Sequence, residues 1–476
     1  MRADGDYVLY WMTAARRLSW NFALDRAVDL AREVGRPLLV LEALRCGYRW
    51  ASDRLHAFVL QGMADNARRA GRLPIVFHPY VEPEPGAGKG LIEALSERAV
   101  AIVADDFPAF FLPRMLAAAA ARVRCRLEAV DSNGLLPIRA ADRVFTGAYP
   151  FRRFLQRELP RHLLVAPRAE PLARVRLPRL AAPPAPLGER WPAAGPELLS
   201  VAEDALARLP IDHGVPPVAD LTGGTTTAER TLHDFLERRR SRYAEGHNHP
   251  DDDASSGLSP WLHFGHLSPH QVLSELAARE GWSPEDLPAG GDGSRAGWWG
   301  MSADAEAFLD ELVTWRELGH NFCGLAPDSH DRYDSLPTWA LATLAKHRSD
   351  PRHWSYDAEQ LAAAATHDEL WNAAQRQLRG EGRIHNYLRM LWGKKVIEWS
   401  AEPEEALATL LELNDRWALD GRDPNSASGI LWCFGRYDRA WGPERPVFGT
   451  VRWLSSENTR RKLRLKRWLE RWSGGG

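Results

Sequence analysis

Five short apolar runs alternate with amphipathic stretches over the first third of the chain. The runs are Tyr7–Met12, Pro37–Glu42, Pro74–His78, Val100–Asp105 and Arg126–Asp131. Between the first two, Leu24, Ala27, Val28, Ala31 and Val34 recur at helical spacing. Strand-length runs separated by helical stretches predict a parallel sheet with helices on both faces. Residues 1–165 are therefore expected to form a doubly wound, Rossmann-like α/β domain. Such sheets bind ligands beyond the carboxyl ends of their strands. No GxGxxG follows the first run, so an ordinary dinucleotide site is not supported.

The pattern then changes twice. Pro167, Pro171, Pro178, Pro183, Pro184, Pro186, Pro192 and Pro196 interrupt any regular element. Residues 166–199 are expected to be an extended interdomain linker. Residues 200–476 read as an all-helical domain, with helices over 226–244, 268–280, 303–320, 358–378, 383–400 and 403–413.

Composition narrows the function classes. The net charge of −2 over 476 residues does not announce a nucleic-acid partner, so DNA contact needs a local basic face. Cys46, Cys125, Cys323 and Cys433 form no CxxC pair, and no metal site is expected. No N-terminal leader and no membrane span is read, so a cytoplasmic protein is expected. The 20 tryptophans are unusual, and their positions decide whether they are core, stacking surfaces or redox groups.

Several segments carry candidate chemistry. Ser256-Gly257-Leu258-Ser259-Pro260 precedes a helical stretch and can turn N–H groups and hydroxyls toward a phosphate; alone, it reads as a helix start. Glu311 and Trp315 lie four residues apart on one predicted helix and face one way. Trp392 and Trp399 are seven apart, two turns, and project from one face. Indole is readily oxidised, so neighbouring indoles can relay an electron, although core packing is the ordinary role. The basic run Arg460 to Trp468 fits a phosphate backbone and a solvated closing helix about equally.

These segments stand in an ordered set: RYAEGHNHP around Tyr243, SGLSPWLHFG from Ser256, FLDELVTWRE from Phe308, ATHDELWNAAQ from Ala365, RMLWGKK from Arg389, LND from Leu413 and LDGRDPN from Leu419. The set resembles the photolyase/cryptochrome family, most closely the class II cyclobutane pyrimidine dimer photolyases. The resemblance covers nearly all of the chain from Tyr243 to Phe448, and Tyr10-Trp11-Met12 extends it into the first strand. It implies FAD in the helical domain and an antenna chromophore, a deazaflavin or a folate, in the α/β domain. It places Tyr243 and Ser256, Gly257, Leu258, Ser259 and Pro260 at the pyrophosphate. Asn414 falls near flavin N5, and Arg389 pairs with Asp420 beside the ring, next to Gly421. It gives Glu311, Trp315 and Trp432 to the lesion. It orders Trp392, Trp371 and Trp399 outward from the flavin, with Tyr356 as terminal donor. The implied activity is light-driven splitting of cyclobutane dimers in ultraviolet-damaged DNA by a monomer. Expected DNA contacts are His247, Lys394, Lys395, Arg452 and Arg460.

Three departures from the class II pattern stand out. His247 replaces an Arg, so a permanent cation becomes one that titrates near neutrality. Asn386 replaces a small residue, and Val130–Leu164 differs in form, which bears on the antenna pocket. A cryptochrome-like light sensor, a dark flavoprotein and a six-four photoproduct enzyme are the rivals on the same scaffold. The short tail after Trp472 and the retained Glu311 and Trp315 favour repair.

Overall fold

The computed structural model describes residues 4–180 and 182–474. Two compact units emerge, each assembled from separate stretches. The first contains the chain through Pro137, Arg161–His233 and Leu258–Arg279. The second contains Ile138–Pro160, Asp234–Gly257 and the chain from Glu280. The units thus interleave along the chain rather than following boundaries at 165 and 199.

The first unit holds a five-stranded parallel sheet of β1 (Tyr7–Met12), β2 (Leu38–Leu44), β3 (Val76–Val81), β4 (Ala99–Asp105) and β5 (Arg126–Val130). The order is β3-β2-β1-β4-β5, with Leu9 opposite Leu39 on one side and Ile102 on the other. β1 is buried throughout because both faces are covered. Val8, Tyr10 and Met12 enter one core with helix α1 (Phe22–Glu33), while Tyr7, Leu9 and Trp11 enter the other. Strand order reverses at β1 and β4, where a ligand crevice opens in such sheets. Asp105, at the end of β4, fixes the chain leaving β1. Its carboxylate accepts from the N–H groups of Thr13, Ala14 and Ala15 at 2.7–2.9 Å and from the Tyr10 hydroxyl at 2.8 Å.

The expected extended linker is instead packed against this sheet. Leu172 and Leu177 join one core, and Leu187 and Trp191 the other. Trp191 donates to Ala87 O at 2.9 Å, and His78 bonds Trp191 O at 2.9 Å. The prolines limit the segment to short turns such as Ala185–Glu189 and Pro196–Leu199, each with Pro in its first turn. The apolar residues between them still find a core.

The second unit is helical, and several predicted helices are broken. The 226–244 stretch becomes Thr225–Asp234, which lies in the first unit through His233, and, in the second unit, a wider turn over Phe235–Arg239 and Tyr243–Gly246. The 303–320 stretch becomes α2 (Ala303–Leu309), a π-helical turn over Asp310–Trp315, and α3 (Arg316–Leu325). The 358–378 stretch splits into α4 (Ala358–Ala362) and α5 (Glu369–Glu381), because the Asp368 side chain caps a new start at Leu370 and Trp371 N–H. Then follow α6 (Asn386–Trp399), α7 (Pro403–Trp417) and α8 (Pro424–Cys433). Residues 138–160, expected in the α/β domain, pack here: Arg152 pairs with Asp310 at 3.0 Å, and Phe145 N–H donates to Asn321 Oδ1 at 3.0 Å.

Replacing Asp105 with Ala leaves three N–H groups and a hydroxyl without their acceptor. Denaturant unfolding of the first unit should show a loss of about 3 kcal/mol, and an unchanged midpoint would remove Asp105 from its structural role.

Candidate functional site

Glu311 and Trp315 lie on the π-helical turn, where Arg316 N–H reaches back five residues to Glu311 O. Such turns recur at functional sites because they re-aim side chains. Both residues keep part of their surface open, as expected of groups lining a cavity. The Glu311 carboxyl is nevertheless surrounded by protein. Burial, reinforced by the neighbouring Asp310 charge, pushes it up to about 7, against a smaller opposing pull from Arg295. Tyr243 is buried nearby, with its phenol pushed well up by burial and then by Glu311.

Two close helix contacts bring the other groups together. A side chain at Gly319 in α3 would come within 2.7 Å of Pro424 O at the start of α8, so α3 and α8 pack tightly. A side chain at Gly393 in α6 would lie 2.5 Å from Cys433 Sγ in α8. Arg389 on α6 pairs with Asp420 at 2.9 Å, each side chain about 14% exposed. Asn414 on α7 is buried, and its amide donates to Asp415 Oδ1 at 2.8 Å and Ser426 Oγ at 2.9 Å. Gly421 is buried in the loop after α7. Trp432 on α8 is partly open. Ser256 and Gly257 belong to the second unit, and Leu258, Ser259 and Pro260 to the first. Leu258 and Pro260 are buried and Ser259 is exposed, opening the short helix Ser259–His263. His385 Nδ1 is a buried atom with no hydrogen-bond partner among the described residues.

The tryptophans form a continuous row. Trp392 and Trp371 are parallel with centroids 6.5 Å apart. Trp371 meets Trp399 at 5.4 Å, and Trp399 meets Tyr356 at 5.1 Å. Trp371 Nε1 donates to Trp392 O at 3.0 Å and Trp392 Nε1 to Gln375 Oε1 at 2.9 Å, which locks both rings. The three indoles are buried, and Tyr356 reaches toward the surface.

The comparisons with known proteins bear on this arrangement. The chain is 33% identical over 474 residues to the deoxyribodipyrimidine photo-lyase of Methanothermobacter thermautotrophicus, spanning 99% of this chain and 95% of that one. It is 34% identical to the deoxyribodipyrimidine photo-lyase of Oryza sativa, over 96% of this chain and 86% of the relative. The chain belongs to the photolyase/cryptochrome family. No protein-family model matches it. Among solved structures, a bacterial class III photolyase from Agrobacterium tumefaciens superposes with a TM-score of 0.70 at 18% identity, over 98% of this chain and 86% of that one, which bears on the fold. No helix among the described residues is long and apolar enough to cross a membrane.

Within this family member, three expected DNA contacts fall inside the protein. His247 is buried and stacked on Tyr243 with centroids 4.7 Å apart. Its Nδ1 bonds Tyr243 O at 2.6 Å and its Nε2 bonds Asn248 Nδ2 at 3.0 Å. Burial, the dominant cause, lowers its pKa, so it is neutral at pH 7 and no DNA-facing cation. Lys394 is fully buried, donates to Cys433 O at 2.5 Å and is pulled down to about 8 by desolvation. Lys395 is buried against Glu398 at 2.8 Å. Residues 391–397 of α6 are buried on every side of the helix, so both lysines lie inside, which a basic doublet in sequence does not reveal.

Arg452 is partly open, 5.8 Å from the Trp432 ring and 5.0 Å from Trp441. Arg439 stacks on Trp441 at 4.3 Å and Arg445 on Trp453 at 4.5 Å. Arg452 and Trp432 were singled out in sequence, whereas Arg439, Trp441, Arg445 and Trp453 were not; the recurrence of Arg and Trp between 432 and 453 is the signal that marks them. Arg460 is exposed, whereas Arg464 and Arg467 of the same run are tied to Asp252 and Asp251. Asn386 is exposed at the start of α6.

The raised Glu311 pKa predicts a pH signature. The folded state holds this proton more tightly than the unfolded chain. Stability linked to Glu311 is therefore complete below about 4.5 and falls as pH rises through about 7, by up to about 3 kcal/mol. Unfolding curves of wild type and Glu311→Gln from pH 5 to 9 should diverge with that sign, and parallel curves would contradict the buried carboxyl.

Proposed function

We propose that the chain is a light-driven DNA-repair enzyme that splits cyclobutane pyrimidine dimers with FAD as its cofactor. The observation that carries this reading is a protonatable Glu311 beside Trp315 on a half-open turn, in a chain similar over its whole length to deoxyribodipyrimidine photo-lyases.

The residues fit the cofactor. Tyr243, Ser256 and Gly257, all in the second unit, would hold the pyrophosphate, Ser256 through its hydroxyl. The unpartnered His385 Nδ1 leaves one further polar contact to the ligand. Arg389, kept in place by Asp420, would offset negative charge on the ring. Asn414 would turn one amide hydrogen from its internal partners toward the ring. When bound and reduced, FAD absorbs the blue photon and supplies the electron that opens the cyclobutane ring.

The chain's own residues do the rest. Extruding the two linked pyrimidines from the stack costs a few kcal/mol, least where damage has already weakened their pairing. Trp315 and Trp432 would pack the extruded dimer. Protonated Glu311 would donate to a dimer carbonyl and offset the negative charge that arrives there. Arg439, Arg452 and Arg460, with Trp441, would follow the DNA backbone. Trp392, Trp371, Trp399 and Tyr356 would pass electrons inward when the cofactor is oxidised.

In the first unit, Tyr48, Trp50, Phe110 and Phe111 cluster at 4.6–6.0 Å beyond β2 and β4. Arg45 lies over Phe111 and Arg49 over Trp50. This cluster, at the carboxyl ends of a doubly wound sheet, suits a flat antenna chromophore such as a deazaflavin or folate.

Purified protein, reduced and given blue light, should remove dimers from damaged thymine oligonucleotide, with none lost in the dark. Glu311→Ala should lower the yield per photon about tenfold, with Glu311→Gln intermediate. Trp392→Phe should spare repair by chemically reduced protein yet abolish light-driven reduction of the bound flavin. Intact photoreduction without any dimer loss would overturn the repair reading in favour of a light sensor.

A further inference from the structure

The outer end of the tryptophan row is built by one residue on two sides of a phenol. The Tyr356 hydroxyl bonds His367 Nδ1 at 2.5 Å and accepts from the His367 backbone N–H at 3.0 Å. With the hydroxyl already accepting from that N–H, its own proton points at the imidazole. The His367 ring is solvent-exposed and lies edge-on to Trp399 at 5.6 Å. It also stacks on Trp354 at 4.2 Å, and Trp354 is 52% exposed. Asp368 pins the segment by capping α5. Among the described residues, no comparable base touches Trp392 or Trp371, whose N–H groups donate to a side-chain amide and a carbonyl.

Phenol oxidation differs from indole oxidation in one respect. The phenol radical cation is a very strong acid, so tyrosine gives up its electron readily only where a base takes the proton in the same step. We propose that His367 is that base and makes Tyr356 the terminal donor of the relay; the inference rests on the relay described under the proposed function. Oxidised Trp399 takes one electron from Tyr356 and returns to neutral indole. The phenolic O–H bond breaks, and the proton passes to His367 Nδ1. Tyr356 is left as a neutral radical, and the exposed imidazolium releases its proton to water. Separation of electron and proton into different groups slows the return of the hole to Trp399. His367 is thereby a functional residue of photoreduction and idle in dimer splitting.

The test uses the full-length, flavin-loaded chain and identifies the radical by flash photolysis and electron paramagnetic resonance. Wild type should accumulate a tyrosyl signal whose formation slows in heavy water. His367→Phe keeps the ring contacts and the backbone N–H but removes the base. Its tyrosyl yield should fall about tenfold or more, with the hole held on tryptophan and the isotope effect gone. His367→Gly with added imidazole should recover the signal. In the dark and without flavin, nitrogen resonances of His367 should report an unprotonated, hydrogen-bonded Nδ1 that shifts in Tyr356→Phe. Equal tyrosyl yield in His367→Phe, or a wild-type radical that rests on Trp399 or Trp354, would overturn the assignment. Dimer splitting by chemically reduced protein, measured alongside, should be the same in His367→Phe and wild type. Its absence from both would sink the repair reading while leaving the radical result to stand by itself.

Discussion

The contact between α6 and α8 at Gly393 and Cys433 is the constraint on which the site depends. With no side chain at 393, the two helices come close enough for Trp392 and Lys394 to be sealed in while Arg389, one turn earlier, stays partly open. The same contact holds α8, and hence Trp432, beside the Lys394 ammonium, which sits 5.1 Å over the indole. A side chain at 393 would require the Cys433 thiol to shift, at a cost, because a close-packed interior has little slack.

A buried lysine is costly unless its proton is used or removed. Lys394 retains a carbonyl partner and the face of Trp432, and desolvation brings its pKa down to about 8. Glu311 is the acidic counterpart: burial raises it to about 7, so a carboxyl is available as a hydrogen-bond donor near neutrality. One tight set of helices thus sets two perturbed groups of opposite sign. One faces the tryptophan wall, the other the π-helical turn.

Rigidity and exposure are divided along the tryptophan row. Trp392 and Trp371 are fixed by indole hydrogen bonds and by full burial, which keeps their rings parallel. At the other end, Tyr356 and His367 lie where water can receive a proton. A buried interior suits the passage of an electron, which needs only ring proximity. A surface suits the passage of a proton, which needs an acceptor in contact with solvent.

Much of this was determined by the sequence alone. Alternating strand-length runs specified the parallel sheet, since a strand buried on both faces must be apolar throughout. The two-turn spacing of Trp392 and Trp399 put them on one face, and Arg389 with Asp420 was legible as a pair from the ordered motifs. The tertiary structure decided what local pattern cannot encode. The prolines of residues 166–199 forbid long helices but do not determine whether the intervening leucines stay solvated; the sheet faces buried them. Lys394 and Lys395 read as surface cations because a doublet of lysines usually is, yet the elements packed round α6 bury residues 391–397 on every side. His247 looked like a titrating phosphate ligand until its stacking on Tyr243 made it a neutral internal group. In each case the deciding quantity is burial, and burial is set by elements distant in sequence that meet only when the chain has folded.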